Sequence, residues 1–157
     1  MIFRALMAMV AILVVAVAGS VVYFDYFEPP WLKYMNMPFP VGTDAQGNPP
    51  KDMPVLHPGD SIPFYNTRCN DSGKSQFYSV TRRLVRVDQS QPDIELAAGD
   101  VTVPSGCTSI ISRRNAIPHG NPAIPSGIYI LEGTTSVPLR GRTPRMTWAT
   151  QPFRIEP

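Results

Sequence analysis

Between Ala5 and Phe24 the chain runs for twenty residues without a charged side chain, and that run limits what can be built around it. A helix rises about 1.5 Å per residue, so such a run reaches about 30 Å, the thickness of a bilayer's hydrocarbon core. It is long enough to span a membrane. A shorter apolar region followed by polar sequence would mark a removable secretory signal, and Ala16-Val17-Ala18 does look like a small-residue cleavage site. Against removal, Val21, Val22, Tyr23 and Phe24 carry the apolar run past that site. We expect an uncleaved anchor, with residues 1–4 as a cytoplasmic tail and residues 5–27 as a transmembrane helix in contact with membrane lipid.

Rings mark the exit from the anchor. Tyr23, Phe24, Tyr26, Phe27, Trp31 and Tyr34 follow closely on one another, and rings with a polar edge settle at headgroup level, so they read as a membrane belt. Pro29-Pro30 removes two backbone donors and pushes Glu28 out of helical conformation, which should stop the helix near Phe27. The N-terminal side carries Arg4 and the α-amino group, while the exit shows Asp25 and Glu28 before Lys33. By the positive-inside rule the N-terminus lies in the cytoplasm. That describes a single-pass protein of the cytoplasmic (inner) membrane whose C-terminal domain is periplasmic or extracellular.

The rest of the chain is enough for one domain with one core. Lys and Arg total 14 against 12 Asp and Glu, a formal charge of +2 that gives no nucleic-acid signature. The 18 prolines and 11 glycines break any long helix after the anchor and suit short strands joined by turns. "PFPVGTDAQGNPPKDMPVLHP", Pro38 to Pro58, shows little alternation, so residues 28–58 read as a Pro-rich stalk lifting residues 59–157 off the membrane. Cys69 and Cys107 both lie in this outer part. In an oxidising compartment the pair reads as a disulfide tying one strand's end to the turn before another across the domain, with two separate buried thiols as the alternative. His57 and His119 sit in Pro/Gly-rich turns without ligand spacing, so no metal and no other cofactor is expected.

In "HPGDSIPFYNTRC", Ile62 and Phe64 share a strand face. "SQFYSVTRRLVRV" is the longest strand candidate, with Tyr78, Val80, Arg82, Leu84 and Arg86 on one side and Phe77 to Val87 at odd positions on the other; both sides are mixed, so parity does not name the core. Shorter runs follow at "DIEL", "DVTVPSGCTSII", "SGIYILEGTTSV" and "RMTWATQPFRI". About seven short strands with regular turn signals predict an all-β antiparallel sandwich. Together, "HPGDSI", "VPSGC", "IPSGIYILEG" and "WATQPFRI" resemble the immunoglobulin-like β-sandwich of many exported bacterial and phage proteins. One anchor, an "EPPWLKY" exit and such a domain also resemble small uncharacterised membrane proteins encoded by tailed phages. Tyr129 stands where such domains carry a late-strand tyrosine, whereas Leu131 stands where an antibody domain has its second cysteine.

No constellation for catalysis is legible. A nucleophile needs a base and an orienting group, and no G-x-S-x-G elbow or phosphate-cradling loop occurs. Asp93 and Glu95 share a strand face but read as exposed decoration. No catalytic residue is assigned and no enzyme is expected. Arg113, Arg114, Arg140, Arg142 and Arg145 fall in or beside turns, where guanidiniums can grip an anionic protein face or lipid headgroups; solvated loop arginines are the alternative. Trp148 and Phe153 are expected in the core. The chain then reads as a membrane-tethered interaction module with a protein partner of unknown identity. A structural subunit of a membrane-embedded assembly and an exported ligand-binding or enzymatic domain are the other readings.

Overall fold

The apolar run folds as a helix, α1, Ile2–Val22, and its stretch Ala5–Val22, of mean hydropathy 2.7, is buried against nothing else in the chain. It is long and apolar enough to cross a membrane. The computed structural model describes residues 2–24, 28–44, 46–119 and 124–156. Tyr26, Phe27 and the expected helix end beside them lie outside the described residues.

Beyond the helix the chain is β. The strands are β1 Leu32–Tyr34, β2 Val55–Leu56, β3 Phe64–Asn70, β4 Gln76–Arg86, β5 Ile94–Val103, β6 Gly106–Ser112, β7 Gly127–Ser136, β8 Arg145–Ala149 and β9 Phe153–Ile155. Two sheets result, a small one ordered β1-β3-β6 and a large one ordered β2-β9-β7-β4-β5. In the large sheet β8 and β9 succeed one another along the same edge of β7, β8 opposite Glu132 to Ser136 and β9 opposite Gly127 to Tyr129. All pairings between these strands are antiparallel except the short β2–β9 pair.

Buried residues from both sheets form one core. Alternation decides who enters it: Tyr129, Leu131, Gly133 and Thr135 of β7 turn inward while their neighbours stay half-exposed. The ambiguous parity of β4 resolves in favour of Tyr78, Val80 and Leu84. Arg82 therefore faces inward with them. At the centre four rings meet, Phe39 on Phe64 at 5.7 Å, Phe39 and Phe64 each 5.4 Å from Trp148, and Tyr34 at 5.4 Å from Phe39. Trp148 and Phe153 are buried, as the sequence leads one to expect. The Trp148 indole fits because its cross-strand partner on β7 is Gly133, where an added Cβ would stand 2.1 Å from the ring.

The stalk expectation is corrected. Residues 28–58 lie along the domain, burying Trp31, Leu32, Phe39 and Val41 and supplying β1 and β2. A proline lacks the donor a ladder needs, yet its carbonyl and those beside it still accept. Here Pro40 O accepts from Tyr65 N and Pro54 O from Arg154 N, so a proline-rich segment is laid on sheet edges instead of standing free.

Cys69 and Cys107 are bonded, and no free cysteine remains. They are direct partners on neighbouring strands β3 and β6, with Cα atoms 4.0 Å apart. The bond therefore staples one sheet from its outer face, not across the domain. Alkylation of unreduced protein is expected to modify no cysteine. Replacing both by Ser should lower stability by about 2–4 kcal/mol in denaturant unfolding, given the loop closed. In a second test, Gly133→Ala should destabilise by about 1–3 kcal/mol, the usual cost of overpacking, because a buried indole has nowhere to retreat.

Candidate functional site

The helix exit is where the sequence-predicted residues meet the domain. The β7–β8 connection folds into a tight turn because Leu139 N donates to Arg142 O at 2.9 Å, with Gly141 third in the turn at φ +82°. That position needs a left-handed backbone, which glycine adopts without strain. The turn thrusts Arg140 and Arg142 toward the end of α1. Arg140 stands over the Phe24 ring at 5.6 Å, a cation–π contact, and the Arg142 guanidinium donates to the Glu28 carbonyl. Trp31 Nε1 donates to Pro138 O at 3.2 Å, closing the same junction.

Around this junction runs a groove of about 620 Å³, lined by Tyr23, Phe24 and Glu28 from the helix exit, by Lys33 and Lys74, and by Arg140. Lys33 pairs with Asp71 at 2.5 Å, an exposed contact. Glu28 Oε2 and Arg142 Nε are both buried with no hydrogen-bond partner among the described residues. Arg142 is thus engaged with its own chain, while Arg140 remains exposed.

The other expected residues scatter. Arg145 opens β8 opposite Ser136 and is exposed. Arg113 and Arg114 are exposed just after β6, at the mouth of a different cleft. Two belt residues are corrected: Trp31 is buried at 8 % exposure, and Tyr34 donates to or accepts from Thr135 Oγ1 at 2.8 Å inside the domain. Their hydroxyl and indole edges find protein partners, which makes water or headgroups unnecessary. Tyr23 and Phe24 do sit at the helix end. Asp93 pairs with Arg83 at 2.8 Å and Glu132 with the same guanidinium at 2.7 Å, an exposed network on the outer face of the large sheet. His57 lies 3.5 Å from Asp60, and among the described residues no group of three metal-ligating side chains forms.

Sequence reasoning missed the inward arginines Arg68 and Arg82. Their signal was present for Arg82, which alternates with Tyr78, Val80 and Leu84. The chain matches no family model, and no curated protein is similar enough to count as a relative.

Arg142→Ala should free the Glu28 carbonyl and loosen the junction. Amide exchange at Trp31 and Leu32 is expected to quicken, with a loss of domain stability no greater than about 1.5–3 kcal/mol, the worth of one charge-assisted hydrogen bond. Unchanged exchange there would show that the turn does not hold the helix exit.

Proposed function

We propose that this chain is a non-enzymatic, membrane-tethered interaction protein. In this reading α1 is retained as an anchor with its N-terminus in the cytoplasm, and an immunoglobulin-like domain lies on the outer face of the cytoplasmic membrane. There it binds another envelope or virion protein. The observation that carries the reading is the apolar, wholly unburied stretch Ala5–Val22 ending directly on the domain's arginine-bearing turn. Such a surface has no use in water. The disulfide suits an oxidising compartment, and Arg4 against Glu28 favours the stated orientation.

An immunoglobulin-like identity draws support from Tyr129. Its hydroxyl donates to Pro125 O at 2.8 Å, four residues upstream, the geometry of a tyrosine corner. The bond Cys69–Cys107 within one sheet differs from the inter-sheet bond of antibody domains.

Tethering supplies the mechanism. Confinement near the bilayer raises the domain's effective concentration toward membrane-bound partners, so a weak interface suffices. Because Arg140 and Lys74 flank the helix exit, the same face would rest on anionic headgroups.

Intact mass of membrane-extracted protein is expected to correspond to the chain with its N-terminal segment, and protease added to cells whose cytoplasmic membrane is sealed and whose outer envelope has been opened should reach the domain. A mature chain starting at Gly19, or a protected domain, would overturn the anchor and its orientation. Mild crosslinking in the native membrane should join the domain to an envelope or virion protein. Fixed-stoichiometry assembly through the helix alone would instead favour the structural-subunit reading.

A further inference from the structure

Between the two sheets, on the side where β5 and β6 end their respective sheets, lies a cleft of about 320 Å³. Its size is that of a small-ligand pocket. Four arginines line it, Arg68, Arg82, Arg113 and Arg114, and no acidic residue does among the described residues. None of the four enters an ion pair among those residues either.

Arg68 is the deepest. It is 9 % exposed, its Nη1 donates to the Tyr78 hydroxyl at 3.0 Å, and its Nε is buried without a partner among the described residues. Arg82 reaches in from β4 and donates to Ala97 O at 3.3 Å. Desolvation holds the Arg82 pKa below its ordinary value; the nearby tyrosines Tyr78 and Tyr34 oppose this, and the Arg114 charge adds to it. Burial, first, holds the Tyr34 hydroxyl far above the usual tyrosine range, so it stays protonated and brings no negative charge to the cleft.

An unpaired buried charge is costly, and like charges across one small cleft add to that cost. An anion would relieve both. Guanidinium forks match a carboxylate bidentately. Phe64, Val101, Ile110 and Trp148 give the rest of the wall an apolar part, beside the polar side chains of Asn66, Thr102 and Ser112. Both bordering strands are sheet edges, so a ligand enters without breaking a ladder bond.

We infer that this inter-sheet cleft binds a carboxylate carried on an apolar body, gripped by Arg68 at depth, by the half-buried Arg82 on its wall, and by Arg113 and Arg114 at the mouth. The carboxylate comes either from a free small acid or from an acidic side chain on an extended partner segment. The inference stands apart from the membrane orientation proposed above.

The test uses the full chain in nanodiscs, titrated by calorimetry with hexanoate, with inorganic phosphate, and with an end-blocked heptapeptide of alternating Thr and Val bearing one central Glu. A Gln counterpart of the peptide and 1-hexanol serve as uncharged controls. Hexanoate or the Glu peptide should bind, and the matching control should bind at least about tenfold more weakly, the size of one lost charge-assisted hydrogen bond. If the peptide exceeds hexanoate by about tenfold or more, the source is a partner's strand; otherwise it is a free acid. Arg114→Gln, an exposed change that leaves folding intact, should weaken binding about three- to tenfold and reduce its salt dependence. Arg68→Met should abolish it. Silence toward both acids, controls as tight as the acids, phosphate binding as tightly as hexanoate, or unaltered affinity in Arg114→Gln would overturn the assignment.

Discussion

Burial of the segment Trp31 to Val41 is the interaction on which the rest of this structure depends. Leu32 begins the strand that pairs with β3, Val41 bridges Phe64, and Phe39 bridges Thr150 between β8 and β9. One short stretch thereby ties the small sheet to the large one. The same stretch starts three residues after Glu28, whose carbonyl is held by Arg142, so the chain leaving the helix is joined to the domain at this seam. Tyr34 and Phe39 supply the cohesion by packing on Phe64 and Trp148, each well-arranged aromatic pair being worth about 0.5–1.5 kcal/mol beyond its buried area. Thr135, fully buried, completes the seam by meeting both Tyr34 Oη and Trp148 Nε1 through one hydroxyl oxygen.

That ring cluster has to offset an inner face of β3 that is unusually polar. Asn66, Arg68 and Asn70 all point inward and are buried. Asn70 is well satisfied, giving its amide to Lys74 O and Val103 O and accepting from Ser72. Arg68 is not. The small sheet thus has a polar, completed end near the disulfide and a charged, incompletely paired middle. A core built only for stability would fill this space with apolar side chains.

Much of this was legible in the residues, and the losses have physical causes. The apolar run from Ala5 announced its helix because a stretch this long without charge can satisfy its own backbone groups and still avoid water only as a helix of spanning length. Two cysteines without competing ligands announced their bond, while its place on one sheet needed strand register, which spacing does not carry. Residues 28–58 looked like a stalk because proline suppresses alternation; the buried Trp31 and Phe39 inside it were the contrary signal. The five turn arginines were visible as a set, yet three-dimensional placement divides them among the helix exit, the start of β8 and the cleft mouth. Arg68 and Arg82 hid among alternating strand residues, where a charged side chain is ordinarily assumed to face water.

The disulfide fixes one end of the strand that forms the lip of the cleft. Cys69–Cys107 pins β6 at its first turn, close to the Asn70 contact with Val103. From there to Ser112 the strand is held on one side only, by β3, since among the described residues no strand pairs with its other edge. Strands with few buried contacts and a free edge open at lower cost than the core to which they are attached. Past Ser112 the chain is held again, Ala116 bridging Ser61 and Asn115 O accepting from Ile62 N at 2.7 Å, with Asn115 and Ile117 buried, so the lip of the cleft, Ile110 through Arg114, is fixed at both ends. A covalent staple at one end and a backbone bridge at the other thus hold Arg113 and Arg114 at the rim of the cleft, while the unpaired edge of β6 leaves that rim open to what enters.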